Sequence, residues 1–324
     1  MNGKLHFSQL KPDVLIPYNR NYNNLLPSVV IYVRPQTNLL KYETAILNAV
    51  QKFGDVTYLA NINGRIFCRD FLVAQHYSTE YYFAVYAKKA IAQFPEMVDE
   101  FEEYFNVSFN EAQIISAFDA PHFLGITQDE LFDIFTDEKD FKLFYGQTVK
   151  RINGYYIVNY DLPSIMGRYT PESNIFVIAV QLHNLDLDLH ELNRGLFESL
   201  KNNIATPIID EHKYMRHEWM EKVKRTYHIS KGHINAIFDM TDFVFVNENE
   251  HLKIEETPFG KYIIDKKIMD ANDLDKLKYF NLAYMKQSDG TRRLISIKEA
   301  AIGMTFDEIC ELLSQIDKKT LWRN

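Results

Sequence analysis

Two hydrophobic periods share this chain. Val29-Val30-Ile31-Tyr32-Val33 is apolar and mostly β-branched, the pattern of a strand buried on both faces. Arg34-Pro35 ends it, because proline brings no amide N–H to a ladder. Tyr42, Ile46, Val50 and Phe53 then recur at helical spacing, and Gly54 is expected as the C-terminal stop. Val56-Thr57-Tyr58-Leu59-Ala60 reads as the next strand, completing a strand–helix–strand unit.

Further along, 70–105 carries a long helical pattern broken near Pro95, and 114–118 a short strand. The turn pair Asn153-Gly154 predicts a hairpin with 155–160. A clear strand over 175–182 opens a second domain, with 163–173 as the linker. Strands are expected at 243–246, 262–264, 280–285 and 293–297, and helices over 188–201, 211–227 and 230–240. Strands and helices without regular βαβα alternation argue for α+β. The expected organisation is an arm over 1–27, a first domain over 28–165, and a second mixed α/β domain over 174–324.

One local pattern recurs. Gly125-Ile126-Thr127-Gln128-Asp129-Glu130 resembles Gly303-Met304-Thr305-Phe306-Asp307-Glu308, and both contain a capping box. His228-Ile229-Ser230-Lys231-Gly232-His233 is a looser third case, and ordinary capped helices account for all three. The sharper alternative is a helix-turn-helix.

Composition narrows the class. The chain has 324 residues, 46% hydrophobic and 14% aromatic, enough to bury a sizeable core. Its net charge is −8, and 96–140 concentrates thirteen acidic residues against one lysine, Lys139. Such a run reads as a solvated face and repels nucleic acid locally. Cys68 and Cys310 form no framework, so a cytoplasmic protein with reduced thiols is expected. The N-terminus shows no signal-peptide pattern, and no apolar run reaches membrane-span length.

Candidate chemistry is sparse. The closest glycines, Gly146 and Gly154, are too far apart for G-x-G-x-x-G, Walker A or G-x-S-x-G. His212 and His217, and His228 and His233, are five apart, which does not fit a zinc helix pair, so no metal site is expected. Residues 211–238 offer a helix-turn-helix reading with Lys224 and Arg225, but 230–236 carries only one full positive charge, so nucleic acid is not the expected partner. Asp186, Asp188, His190 and the later histidines define an enzyme alternative at a domain interface.

Residues 28–165 resemble the nucleoside diphosphate kinase family. Arg34-Pro35-Gln36 is similar to the family's Lys-Pro-Asp at the end of the first strand. His76-Tyr77 matches a His-Tyr pair, Phe94-Pro95-Glu96 a Phe-rich turn over the base, and Gln147-Thr148-Val149-Lys150 the phosphate-binding Gly-Thr-Ile-Arg. The nucleophile motif Asn-x-x-His-Gly-Ser-Asp aligns with Asn159-Tyr160-Asp161-Leu162-Pro163-Ser164-Ile165, placing leucine where the histidine belongs. Leucine has no nucleophilic nitrogen. The resemblance therefore implies a ferredoxin-like first domain without that kinase chemistry. It implies a regulatory protein binding a nucleotide, with magnesium, through Arg34, Tyr77, Phe94, Lys150 and Asn159. No other cofactor is expected, and a protein partner is the remaining partner class.

Overall fold

The computed structural model describes residues 11–20, 26–184, 189–201 and 226–321. The chain is a mixed α/β, α+β protein that groups into two compact units, each assembled from three segments. The first unit takes 1–72, 169–274 and 301–314, and the second takes 73–168, 275–300 and 315–324. Residues 28–165, expected as one domain, thus contribute to both units, as do residues 174–324. Elements are numbered in chain order; the chain crosses between the units after Leu72, Arg168, Leu274, Ala300 and Ser314, the first and third of these within α3 (Leu72–His76) and α13 (Ala271–Tyr279).

The first unit is built on a five-stranded sheet. Its strands are β1 (Asp13–Ile16), β2 (Ser28–Val33), β3 (Gly54–Asn63), β8 (Asn174–Leu182) and β9 (Tyr227–Ile229). Their spatial order is β1-β3-β8-β2-β9, and every neighbouring pair is antiparallel. Helix α1 (Leu40–Val50) connects β2 to β3, and α10 (Leu189–Lys201) lies between β8 and β9. Each connection skips one strand, so the two strand–helix–strand units interleave. Strand β1 lies inside the stretch expected to be an arm and pairs with β3.

The two helices cover one sheet face. Val29, Ile31 and Val33 of β2 and Phe176, Ile178, Val180 and Leu182 of β8 meet Ile46 and Val50 of α1 and Leu192, Leu196 and Leu200 of α10. Each buried Val or Leu contributes roughly 1.5–3 kcal/mol. The Ser199 hydroxyl donates to the Ala45 carbonyl at 3.0 Å, tying the helices together. Gly54 does not stop α1, as the sequence suggested, but begins β3. A Cβ there would stand 2.3 Å from the Gln181 carbonyl oxygen, so close strand approach requires the glycine.

On the opposite face lies α11 (His233–Phe243), whose Phe243 meets Tyr32 at 4.9 Å between centroids. The unit is completed by α2 (Gly64–Asp70), the short pair β10 (Phe245–Asn247) and β11 (Glu250–His251), α12 (Pro258–Asp265) and α15 (Phe306–Ser314). Residues 262–264, expected as a strand, lie in α12. Pro258 at its first turn and the Thr257 hydroxyl, accepting from the Gly260 N–H at 3.1 Å, start a helix that β-branched residues do not overturn. The strand expected at 243–246 begins only at Phe245, because α11 runs on to Phe243.

The second unit carries a four-stranded sheet in the order β4-β7-β6-β5, from β4 (Gln113–Ser116), β5 (Phe141–Phe144), β6 (Gln147–Ile152) and β7 (Tyr155–Val158). β4 and β7 are parallel, and the other pairs are antiparallel. Asn153-Gly154 turns the expected hairpin with both φ angles positive, and Tyr145-Gly146 turns a second one in the same way. Helices α4 (Ser78–Tyr86), α5 (Lys88–Ile91) and α6 (Pro95–Phe105) follow α3 through the expected helical stretch, and the break expected near Pro95 falls where α6 begins. Met97, Phe101 and Phe105 bury one face of α6, while Asp99 and Glu103 of the acidic run lie exposed. Short helices α7 (Ala120–Leu124), α8 (Gln128–Asp133), α9 (Leu162–Gly167) and α14 (Ile297–Ala300) and the hairpin β12 (Leu282–Lys286)–β13 (Arg292–Ser296) complete it. The Thr127–Glu130 capping box forms as expected, with hydrogen bonds of 2.7 and 3.1 Å, and the Thr305–Glu308 box forms before α15.

Candidate functional site

Strand β9 is three residues long, yet it fixes a cluster of polar side chains in the first unit. Tyr227 and Ile229 point toward α10, where the Tyr227 hydroxyl donates to Asn193 Oδ1 at 2.6 Å. With a period of two, His228 must point the other way. It does: its ring stacks on Tyr32 of β2, 4.6 Å between centroids and 13° from parallel.

A buried carboxylate organises this face. Asp239 of α11 is 2% exposed. Its Oδ2 lies 3.0 Å from His228 Nε2 and accepts from the Ser230 hydroxyl at 2.6 Å. Ser230 Oγ in turn accepts from the Val30 N–H at 2.9 Å, locking the end of β9 onto β2. An ionised carboxylate can only accept, so Asp239 takes this hydrogen bond from an Nε2–H. This is not a serine nucleophile arrangement, since the carboxylate bridges the hydroxyl and the imidazole instead of lying behind the imidazole.

Arg34 belongs to the same face. Its backbone stays extended, and its N–H continues the ladder to the Thr226 carbonyl at 3.0 Å. Val30, Tyr32 and Arg34 therefore share one face of β2, matching Thr226, His228 and Ser230 on β9. Arg34 and His228 stand diagonally across the two strands, a spacing of about 7–8 Å for such pairs. By strand alternation Arg34 and His228 thus fall on one sheet face. The His228 side chain is 16% exposed.

The other four expected site residues lie in the second unit, so the five do not form one group within either unit. Asn159, at φ +50°, is a buried structural hub: it accepts from the Thr148 N–H at 2.9 Å and donates to the Glu80 carbonyl and Gln147 Oε1, both at 2.8 Å. Lys150 is 4% exposed, donates to the Ile134 carbonyl at 2.6 Å, and sits 3.5 Å from the Tyr160 ring centroid. Phe94 packs between Phe83 and Phe280 at about 6 Å in the aromatic core. Tyr77 meets the His76 ring edge-on at 4.6 Å. Leu162 is buried beside Ala117, Leu131 and Ile157.

The remaining sequence candidates resolve as follows. Asp186, Asp188, Lys224 and Arg225 lie outside the described residues, as does 211–225 of the helix-turn-helix candidate. His190 falls in α10, but its side chain is outside the described set. His233, at the first position of α11, is buried edge-on to Phe306 at 4.7 Å. Its Nδ1 has no hydrogen-bond partner, and burial pushes its pKa down to about 4. Beside it is a cavity of about 10 Å³, lined also by Ser28, Thr257 and Phe259.

Sequence reasoning passed over the His228–Ser230–Asp239 cluster. The signal in the sequence is the His-x-Ser alternation of 228–230 ahead of a buried-helix pattern, which fits a helix cap equally well. No protein-family model, curated protein or solved structure matches the chain.

Proposed function

We propose that the first unit is a ferredoxin-like domain of the nucleoside diphosphate kinase type, and that it takes a phosphoryl group from a magnesium nucleotide onto His228. The observation that carries this reading is the placement of Arg34 and the carboxylate-oriented His228 on one face of β2 and β9.

Topology supports it. The sequence β2-α1-β3 then β8-α10-β9, with the antiparallel order β3-β8-β2-β9, is consistent with the split βαβ arrangement of ferredoxin-like folds and supports this reading. On this reading 28–63 and 174–229 make the domain, and most of the second unit is inserted between β3 and β8. The strand beside β2 is then β9, and the family motif is to be sought there. Arg225-Thr226-Tyr227-His228-Ile229-Ser230-Lys231 retains the histidine and serine of Asn-x-x-His-Gly-Ser-Asp, and Arg34 stands in the place of the Lys-Pro-Asp lysine. Arg225, Ile229 and Lys231 depart from the motif.

The chemistry follows from the orientation. Asp239 holds the Nε2 proton, so Nδ1 attacks the terminal phosphorus, the N–P bond forms, and the bridging P–O bond breaks to release the shortened nucleotide. Arg34 supplies charge for the phosphate oxygens. A second reading, nucleotide binding without transfer, is favoured by the shallow exposure of His228 and by Ile229 in the glycine's place.

Thermal unfolding against nucleoside mono-, di- and triphosphates with magnesium tests the binding step. A ligand at 100 times its Kd stabilises by about 2.7 kcal/mol. Protection that disappears in Arg34→Gln and persists in Lys150→Met supports the reading, whereas no protection at millimolar nucleotide overturns both versions. Binding without transfer to His228 leaves only the second.

A further inference from the structure

We infer that the cavity beside His233 is a binding site for one water molecule, which bridges His233 Nδ1 to the Ser28 hydroxyl and so joins α11 to the start of β2. This holds whether or not His228 accepts a phosphoryl group. His233 is the first residue of α11 and only 9% exposed, and its Nδ1 has no hydrogen-bond partner among the described residues. A buried polar atom left unpaired carries the full cost of its desolvation. Burial keeps the ring neutral near pH 7. A neutral Nδ1 either accepts or donates one hydrogen bond, and water supplies the matching half in both cases. Water thus satisfies either tautomer of the ring.

The cavity suits this occupant in size and lining. Its volume of about 10 Å³ is the least that admits one water and excludes a larger ligand. The polar residues lining it are His233, Ser28 and Thr257. Ser28, Val30 and Tyr32 alternate along β2, and Tyr32 meets Phe243 of α11. The Ser28 side chain therefore falls on the sheet face that α11 covers, and its hydroxyl can both donate and accept. Thr257 is fully buried; its hydroxyl donates to the Ile254 carbonyl at 2.7 Å and accepts from the Gly260 N–H at 3.1 Å. Its second lone pair is left as a further acceptor. An ordered buried water needs two to four such partners. The rest of the wall, including Ile237, Met240 and Phe259, is apolar, so the polar side chains set where the water sits. No carboxylate or cysteine is among the lining residues, which leaves a divalent cation without a ligand set.

Water itself is the probe. The field dependence of water oxygen-17 relaxation counts the long-lived water molecules held inside a protein in solution. It is measured at neutral pH on three full-length proteins: the parent, His233→Phe and Ser28→Val. Thermal unfolding checks that each is folded. His233→Phe keeps the bulk of the ring and removes Nδ1, while Ser28→Val removes the hydroxyl and fills the cavity with a methyl group. The expected result is the loss of one long-lived water in each variant. An unchanged count in either folded variant overturns the inference. A high-resolution crystal structure of the parent decides the matter independently of the variants. A single solvent peak within hydrogen-bond distance of both His233 Nδ1 and Ser28 Oγ is expected there. No peak within about 3.5 Å of Nδ1, or a bound ion in its place, overturns the inference.

Discussion

The Ser230 hydroxyl and the Asp239 carboxylate lie 2.6 Å apart, joining the end of a three-residue strand to the second turn of a buried helix. The same carboxylate oxygen holds His228 Nε2. One buried acceptor thus fixes both β9 and the imidazole, so stability and site geometry share a single group.

Asp239 variants separate those two roles. Asp239→Ala removes the buried carboxylate that both the Ser230 hydroxyl and the His228 ring meet and is expected to destabilise the fold by about 2–4 kcal/mol. Ser230→Ala should cost about 1–2 kcal/mol, because the Val30 N–H loses its acceptor too. Urea unfolding measures both. Equal, near-zero changes would mean the cluster does not anchor β9.

Asn159 and Lys150 should behave as structural residues. Asn159→Ala removes three hydrogen-bond partners at a positive φ and is expected to cost about 2–4 kcal/mol. Lys150→Met keeps the packing against Tyr160 and should change nucleotide protection by less than twofold. A large loss of nucleotide affinity in Lys150→Met would return the site to the second unit.

His233 makes stability depend on pH in a defined window. Its folded pKa is pushed down to about 4 from an ordinary 6.5, so between those values the unfolded chain binds the extra proton. The contribution is fully present above pH 6.5 and is lost as pH falls through that window, by about 3 kcal/mol in total. In His233→Phe this part of the acid-side slope should vanish, which unfolding midpoints at pH 7, 5.5 and 4.5 would read out. A slope unchanged by the substitution would rule out the assignment.

Gly195 is a steric prediction. A Cβ there would fall 2.9 Å from two carbons of the Phe53 ring, where α10 crosses the end of α1. Gly195→Ala should therefore destabilise by about 1–2 kcal/mol despite the better helix propensity of alanine, whereas net stabilisation would show that Phe53 gives way.

Long uniform runs made part of this fold legible. β2 and β8 are β-branched stretches that no helix competes for, and Asn153-Gly154 announces its hairpin. Tyr262-Ile263-Ile264 misled because the capping Thr257 and the first-turn Pro258 set the local state, and these lie outside the apolar run. Strand order was not legible at all. β2 pairs with β8 and β9, contacts that span well over a hundred residues, and the pattern of each strand says nothing about its neighbour. The candidate site was hidden for the same reason. Arg34 was singled out, but His228 and Asp239 become its neighbours only through β9 and α11, while Asn159, Lys150 and Phe94 turned out to satisfy backbone groups and the aromatic core.

The most direct test of the account is the intact mass of the protein after brief exposure to a magnesium nucleoside triphosphate and quenching in base, where phosphohistidine survives. A gain of one phosphoryl group, mapped to His228 and absent in His228→Asn and Asp239→Asn, is the predicted result. An unmodified mass in the parent protein, or a phosphoryl group that persists in His228→Asn, would contradict it.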